Sequence, residues 1–230
     1  MPIFGRKAIP KPDVQAAGDQ LGAIFEAYST DGYGRIRVED LLSAAAAVCG
    51  EACIAAAGEF DPDEHTLTPG AAVFSDRVND ILLANAGDWG AAGTSVFGII
   101  RSGALAGGYA AVDFPAIDEP IRQFAATVGS GDPQATWGRV ALSVPDANWP
   151  RSQPLRQAFE LRPAVRAIFT DLRIPRNEWP SGCAAAVVVE LARVRQAIDP
   201  GIALRIVLET VNGMSKMAPM TIRHMREAAT

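Results

Sequence analysis

A mainly α-helical fold with a few short strands is predicted by three observations. Apolar residues recur at helical spacing along much of the chain. An alanine-rich segment runs unbroken from near Val38 toward Gly58. Only one stretch, residues 139–144, alternates cleanly in the manner of a strand. The alternative is an α+β fold, in which 139–144 pairs with 202–211.

The elements follow in order. Residues 1–12 contain Pro2, Gly5, Pro10 and Pro12 and are expected to form an extended arm. Asp13 is placed to cap a helix carrying Val14, Ala17, Leu21, Ile24, Phe25 and Tyr28. TDGYG at 30–34 ends it. The second helix carries Leu41, Leu42, Ala45, Cys49, Ala52 and Ala56, and its smooth surface suits close packing. Residues 60–70 form a loop. Ser75 or Asp76 opens a third helix, with Val78, Ile81 and Leu82 inward. A fourth spans Thr94 to Leu105, amid the glycines of 87–108. Asp118-Glu119-Pro120 reads as a cap with proline in the first turn, and that helix stops at Gly129. Helices are expected at 153–161, 163–173, 181–198 and 219–229. Residues 202–211 suit a strand by alternation and a helix by length and leucine content.

The chain has 230 residues, 49% of them apolar and 20% charged, enough for a core without staples. Residues 1–130 carry 8 basic and 17 acidic side chains, and residues 131–230 carry 13 basic and 9 acidic, giving the net charge of −5. The sign changes at the turn-rich GSGDPQAT of 129–136. The expected organisation is therefore an arm over 1–12, an acidic helical part over 13–130 and a basic helical part over 131–230, the last two able to pack as one unit. Three cysteines, Cys49, Cys53 and Cys183, argue against a disulfide framework. No signal peptide is read at the start, and Ala91–Val112, with Arg101 and several glycines, falls short of a membrane span. The expectation is a cytoplasmic protein without membrane or nucleic-acid partners.

Residues 149–168 and 179–198 resemble each other without gaps at a spacing of 30: both open on Trp-Pro, carry Glu-Leu and close on Ala-Ile. Two copies are visible, fewer than a stacked repeat array needs.

The most suggestive local pattern is FEAYSTDGYGRIRVEDLL, 25–42. With Ser29 as first loop position, Asp31 falls third, Gly34 sixth, Ile36 eighth and Asp40 twelfth. This resembles the EF-hand calcium motif, which implies a helix–loop–helix unit. The pattern departs from that motif at Ser29, at Tyr33 in fifth position, and at Asp40, shorter than the bidentate Glu. Only two carboxylates remain, so no calcium binding at cytosolic levels is expected. Asp61, Asp63 and His65 form a second, broken loop without the central glycine.

Cys49 and Cys53, four apart on an alanine-rich helix, read as core residues rather than zinc ligands. His65 and His224 are the two histidines, and no nucleophile elbow accompanies them. The arginines Arg151, Arg156, Arg162, Arg166, Arg173 and Arg176 read as a solvated face. The glycine-rich segment 87–98 is the candidate ligand site: Trp89, Gly93, Thr94 and Ser95 could present backbone amides to an anion. No catalytic residue, metal or cofactor is assigned. The expected function is a non-enzymatic protein interaction or regulatory module, with a partner protein or a second copy as a homodimer. The alternative is a small-molecule-binding protein or enzyme using 87–98.

Overall fold

The computed structural model describes residues 12–58, 61, 62, 64, 66–84, 94–128 and 140–227. The helices among them are α1 (Pro12–Ser29), α2 (Val38–Ala57), α3 (Asp76–Leu83), α4 (Val96–Ala106), α5 (Glu119–Thr127), α6 (Pro154–Asp171), α7 (Trp179–Val194), α8 (Pro200–Met214) and α9 (Ile222–Glu227). The fold is mainly α. Within the described residues the extended pairings are isolated bridges, Thr30 with Ile36 and Ala72 with Met217.

The centre of the molecule is α2. Its surface is covered by α1, α6, α7 and α8, and sixteen of its residues are buried. A helix apolar on every side belongs inside a protein or a membrane. This one is 20 residues long and apolar enough to cross a bilayer, yet its faces are already occupied by the other helices. Small side chains make that enclosure possible. At Gly50 a Cβ would lie 2.6 Å from Met214 Cβ and 2.7 Å from the Val211 carbonyl oxygen, so α2 and α8 cross nearly backbone to backbone. The helix ends at Gly58, whose φ of 67° closes the left-handed cap.

One hydrophobic core draws on both the acidic and the basic parts of the chain. Cys49, Cys53 and Cys183 are buried within it as free thiols. Burial raises all three thiol pKa values, Cys53 to about 12, so none is a ready nucleophile.

Several sequence expectations are corrected. Asp13 does not cap α1 from outside but sits in its first turn. The two helices expected at 153–161 and 163–173 are one, with Pro163 inside it. Residues 202–211 are helical throughout, as part of α8. Residues 140–144 form no strand, although Val140, Leu142 and Val144 are buried as their alternation implies. Glu209 of α8 takes the place of a neighbouring strand: it accepts hydrogen bonds from the Ser143 backbone amide and hydroxyl. Arg162 is not solvated. It is buried and bidentate to Glu51 of α2, at 2.6 and 2.8 Å. The arm over residues 1–11, the stop at Gly129 and the boundary at 129–136 lie outside the described residues.

The 30-residue similarity resides in a turn rather than in the helices behind it. Val144-Pro145 and Ile174-Pro175 each lead through a short 3-10 turn, Asp146–Asn148 or Arg176–Glu178, to Trp-Pro. The indole N–H of Trp149 donates back to the Val144 carbonyl at 3.1 Å, and that of Trp179 to the Ile174 carbonyl at 3.0 Å. The helices then start out of register: α7 begins at Trp179, whereas α6 begins only at Pro154. A third copy of the turn stands 30 residues earlier, in Phe114-Pro115-Ala116-Ile117-Asp118-Glu119-Pro120. There the Glu119 amide donates to the Ala116 carbonyl, as the Trp149 amide does to Asp146. Glu119 replaces the tryptophan and pairs with Arg205 at 2.8 Å.

Candidate functional site

The EF-hand-like segment is the wall of a cleft. Residues 30–37 join α1 to α2, and Gly34, with φ of 74°, makes the turn in the left-handed region that favours glycine. Opposite stands the second copy of the repeated turn. It is tied to the first turn of α2 by Arg37 Nη2 donating to the Ala147 and Trp149 carbonyls, both at 2.9 Å. Asn148 donates to Glu39 at 2.9 Å, and the Arg151 amide donates to Asp40 at 2.6 Å. Between these walls lies a cleft of about 770 Å³. Tyr28, Ser29 and Asp31 line one side, Arg151 and Ser152 the other, and Gln157 the floor.

The carboxylates of the cleft are already engaged. Asp31 accepts from the Tyr33 amide at 2.8 Å, the Arg35 amide at 3.0 Å and Arg35 Nε at 3.1 Å. The Arg35 amide first, then these other donors and the nearby Arg151 charge, hold its pKa below the ordinary value. Arg37 pairs with Glu39 at 3.2 Å. Gln157, fully buried, accepts from Ser43 at 2.7 Å and donates to the Asp40 carbonyl. Tyr28 donates to Glu160 at 2.6 Å, and Arg156 to the same carboxylate at 2.7 Å. Against the cost of burial, these two bonds lower the Glu160 pKa. Burial and the Glu160 contact raise that of Tyr28, which stays protonated. The Arg151 guanidinium differs: it is exposed and makes no hydrogen bond or ion pair among the described residues.

The motif positions read as calcium ligands are therefore brought together, but for other work. Asp31 closes its own turn and Asp40 holds the facing segment. Among the described residues no three His, Cys, Asp or Glu side chains are grouped to hold a metal. Ser29 lines the cleft, its hydroxyl without a hydrogen-bond partner among the described residues. Asp63 and His65 lie outside the described residues.

Of the glycine-rich candidates, Trp89 and Gly93 lie outside the described residues. Thr94 is exposed, and Ser95 is buried as the N-cap of α4, its hydroxyl accepting from the Gly98 amide at 3.1 Å. His224 contacts Thr221 within its own helix start. Sequence reasoning found one wall of the cleft and missed the other. The Val-Pro-x-x-x-Trp-Pro turn is the signal that could have located it. Comparison with protein-family models, with curated proteins and with solved structures finds no match to this chain, so the geometry of the cleft stands without a relative to interpret it.

Proposed function

We propose that the protein is a non-enzymatic binding module that docks an acidic segment of a partner protein in the cleft between residues 30–40 and 147–157. The observation that carries this reading is Arg151. It projects at a cleft of about 770 Å³, within the range of ligand sites, and is the one lining arginine whose guanidinium is not already spent on a neighbour. Arg35 stands on the opposite rim, with 74% of its side chain exposed. Arginine is suited to carboxylates because its planar fork donates two parallel hydrogen bonds. The cleft offers no nucleophile beside a general base, which favours binding over catalysis.

The test is a thermal-shift series on the full chain with hexaglutamate, hexalysine, citrate and inorganic phosphate, in wild type and Arg151→Ala. A ligand that binds the native state raises its melting temperature. Hexaglutamate should raise it, hexalysine should not, and Arg151→Ala should abolish the rise. A response to citrate or phosphate alone replaces the partner protein with a small anion. No response to any anion, or one indifferent to Arg151→Ala, overturns the reading.

A further inference from the structure

Glu190 of α7 faces α1 and is fully buried. Neither carboxylate oxygen has a hydrogen-bond partner among the described residues. Arg193 Nη1 is 3.6 Å away, but that guanidinium is drawn toward Glu26 of α1, at 2.5 Å. Two glycines bring α1 onto this spot. A Cβ at Gly18 would lie 2.9 Å from Ala185 Cβ, and one at Gly22 would lie 2.8 Å from Glu190 Oε1. The backbone of α1 thus lies against a carboxyl group that it cannot satisfy, because the amides there are bonded within the helix.

We propose that Glu190 is a pH-operated latch: in its protonated form α1 closes on α7, and in its ionised form α1 loosens from the helical core. An ionised carboxylate buried without a hydrogen bond, with one arginine 3.6 Å away that is shared with Glu26, is disfavoured, and loosening α1 would relieve that cost. Among the described residues, the charged groups acting on Glu190 are Arg193 on its own helix, which favours ionisation, and Glu26 on α1, which opposes it; none from α2, α4, α8 or the 176–178 turn, which also pack on α7, is among them. Burial outweighs Arg193 and sets the pKa at about 7, so the latch operates around neutrality. Loosening α1 uncovers Leu21 and Phe25, both fully buried when it is closed. The end of α1 also supplies Tyr28 and Ser29 to the cleft, although the latch does not depend on what the cleft binds.

The test is hydrogen exchange on the full chain, wild type against Glu190→Gln, at pH 6 and pH 8. Comparing the two proteins at the same pH cancels the intrinsic pH dependence of exchange. If the carboxyl titrates near 7 when closed and near 4.3 when open, the open-to-closed ratio of wild type rises about tenfold from pH 6 to pH 8 relative to the variant. The loss of protection should be confined to α1 and the α7 surface beneath it. Equal α1 exchange in both proteins at both pH values overturns the latch, as does a change spread evenly over all helices. Should the variant fail to fold, carboxyl-carbon NMR titration of Glu190 in the native chain decides. A midpoint near 7 supports the latch, and one in the ordinary glutamate range near 4.3 overturns it.

Discussion

Glu51 and Glu190 lie in the same helical core, and of the two only Glu51 is hydrogen-bonded among the described residues. Glu51 meets Arg162 across the α2–α6 contact in a two-pronged pair, with both side chains less than a tenth exposed. Glu190 meets the backbone of Gly22 across the α1–α7 contact and is left without a hydrogen bond. The comparison separates two uses of a buried carboxylate. A paired one fixes a geometry, because removing either partner strands the other. One without a hydrogen bond, its arginine shared with a second carboxylate, leaves its interface conditional on protonation.

The largest expected effect follows from the pair. Arg162→Ala leaves Glu51 charged and alone beneath α6, a change that costs about 3–5 kcal/mol in comparable buried pairs. Urea denaturation at pH 7 reads it. The double variant Glu51→Leu with Arg162→Leu should recover most of the loss, since two apolar side chains need no partner. A single-variant loss below about 1 kcal/mol, the range of a surface pair, would show that α6 relaxes and the pair is not confined.

Glu190 yields the next effect and the opposite behaviour. Its pKa of about 7 lies above that of an exposed glutamate. Its contribution is therefore complete below the unfolded value near 4.3 and is lost as pH rises through 7. From pH 5 to pH 8 the wild type should lose ~2–3 kcal/mol from this group. In Glu190→Gln that loss should vanish, so the variant gains on the wild type as pH rises. Parallel stability curves for the two proteins would put the carboxyl in water.

A third buried charge sharpens the contrast, with opposite sign. Lys216 follows α8 and its ammonium donates to Asn212 Oδ1 at 2.6 Å, with no ion pair to a carboxylate among the described residues. Burial lowers its pKa to about 8. The folded state thus disfavours the charged form below pH 8, and stability returns as the lysine deprotonates between 8 and 10, by ~2 kcal/mol. Together, Glu190 and Lys216 predict a minimum in stability midway between their pKa values, at about pH 7.5. Lys216→Met should remove the recovery above 8 and leave the decline below it. A wild-type curve that keeps falling from pH 8 to 10, superimposed on that of the variant, would contradict this.

How far these groups could be read in advance differs with what surrounds them. The helices were legible wherever one face is wet: α1, α3 and α5 show helical periodicity, and Ser75 and Ser95 cap α3 and α4 as their position implies. The role of α2 was less so, because a helix covered on all sides has no polar stripe to mark an orientation. Residues 140–144 alternate because three side chains point inward, but alternation cannot reveal that Glu209, not a strand, takes the Ser143 amide. Ser29, Asp31 and Asp40 were recognisable as a turn-forming set, which is half of the cleft. Arg151 was not, since what distinguishes it from the other cleft arginines, Arg35 and Arg37, is that its guanidinium is not engaged by a neighbour among the described residues. Glu190 sits in Ala-Val-Val-Val-Glu-Leu-Ala, where the pattern announces burial, while Gly18 and Gly22 decide what it is buried against.

The smallest expected effect belongs to Asp31, the exposed end of this series of carboxylates. Its side chain is 43% exposed and that of its partner Arg35 74%, so solvent screens the pair and breaking it should shift the urea midpoint least of these changes. The same contacts bear on calcium. A divalent ion needs six to eight oxygens, whereas the Asp31 oxygens already receive two backbone amides and the Arg35 guanidinium. Entry of the ion would require Arg35 to leave and Asp40 to release the Arg151 amide, detaching the far wall of the cleft. Calcium at millimolar concentration should therefore leave the melting temperature unchanged, in wild type and in Arg35→Ala alike, because Ser29 and Tyr33 still supply no charge at their loop positions. Calorimetry that detects micromolar affinity, abolished by Asp31→Ala, would mean that the loop opens around an ion. Asp31 would then be a ligand, not the hinge pin of its own turn.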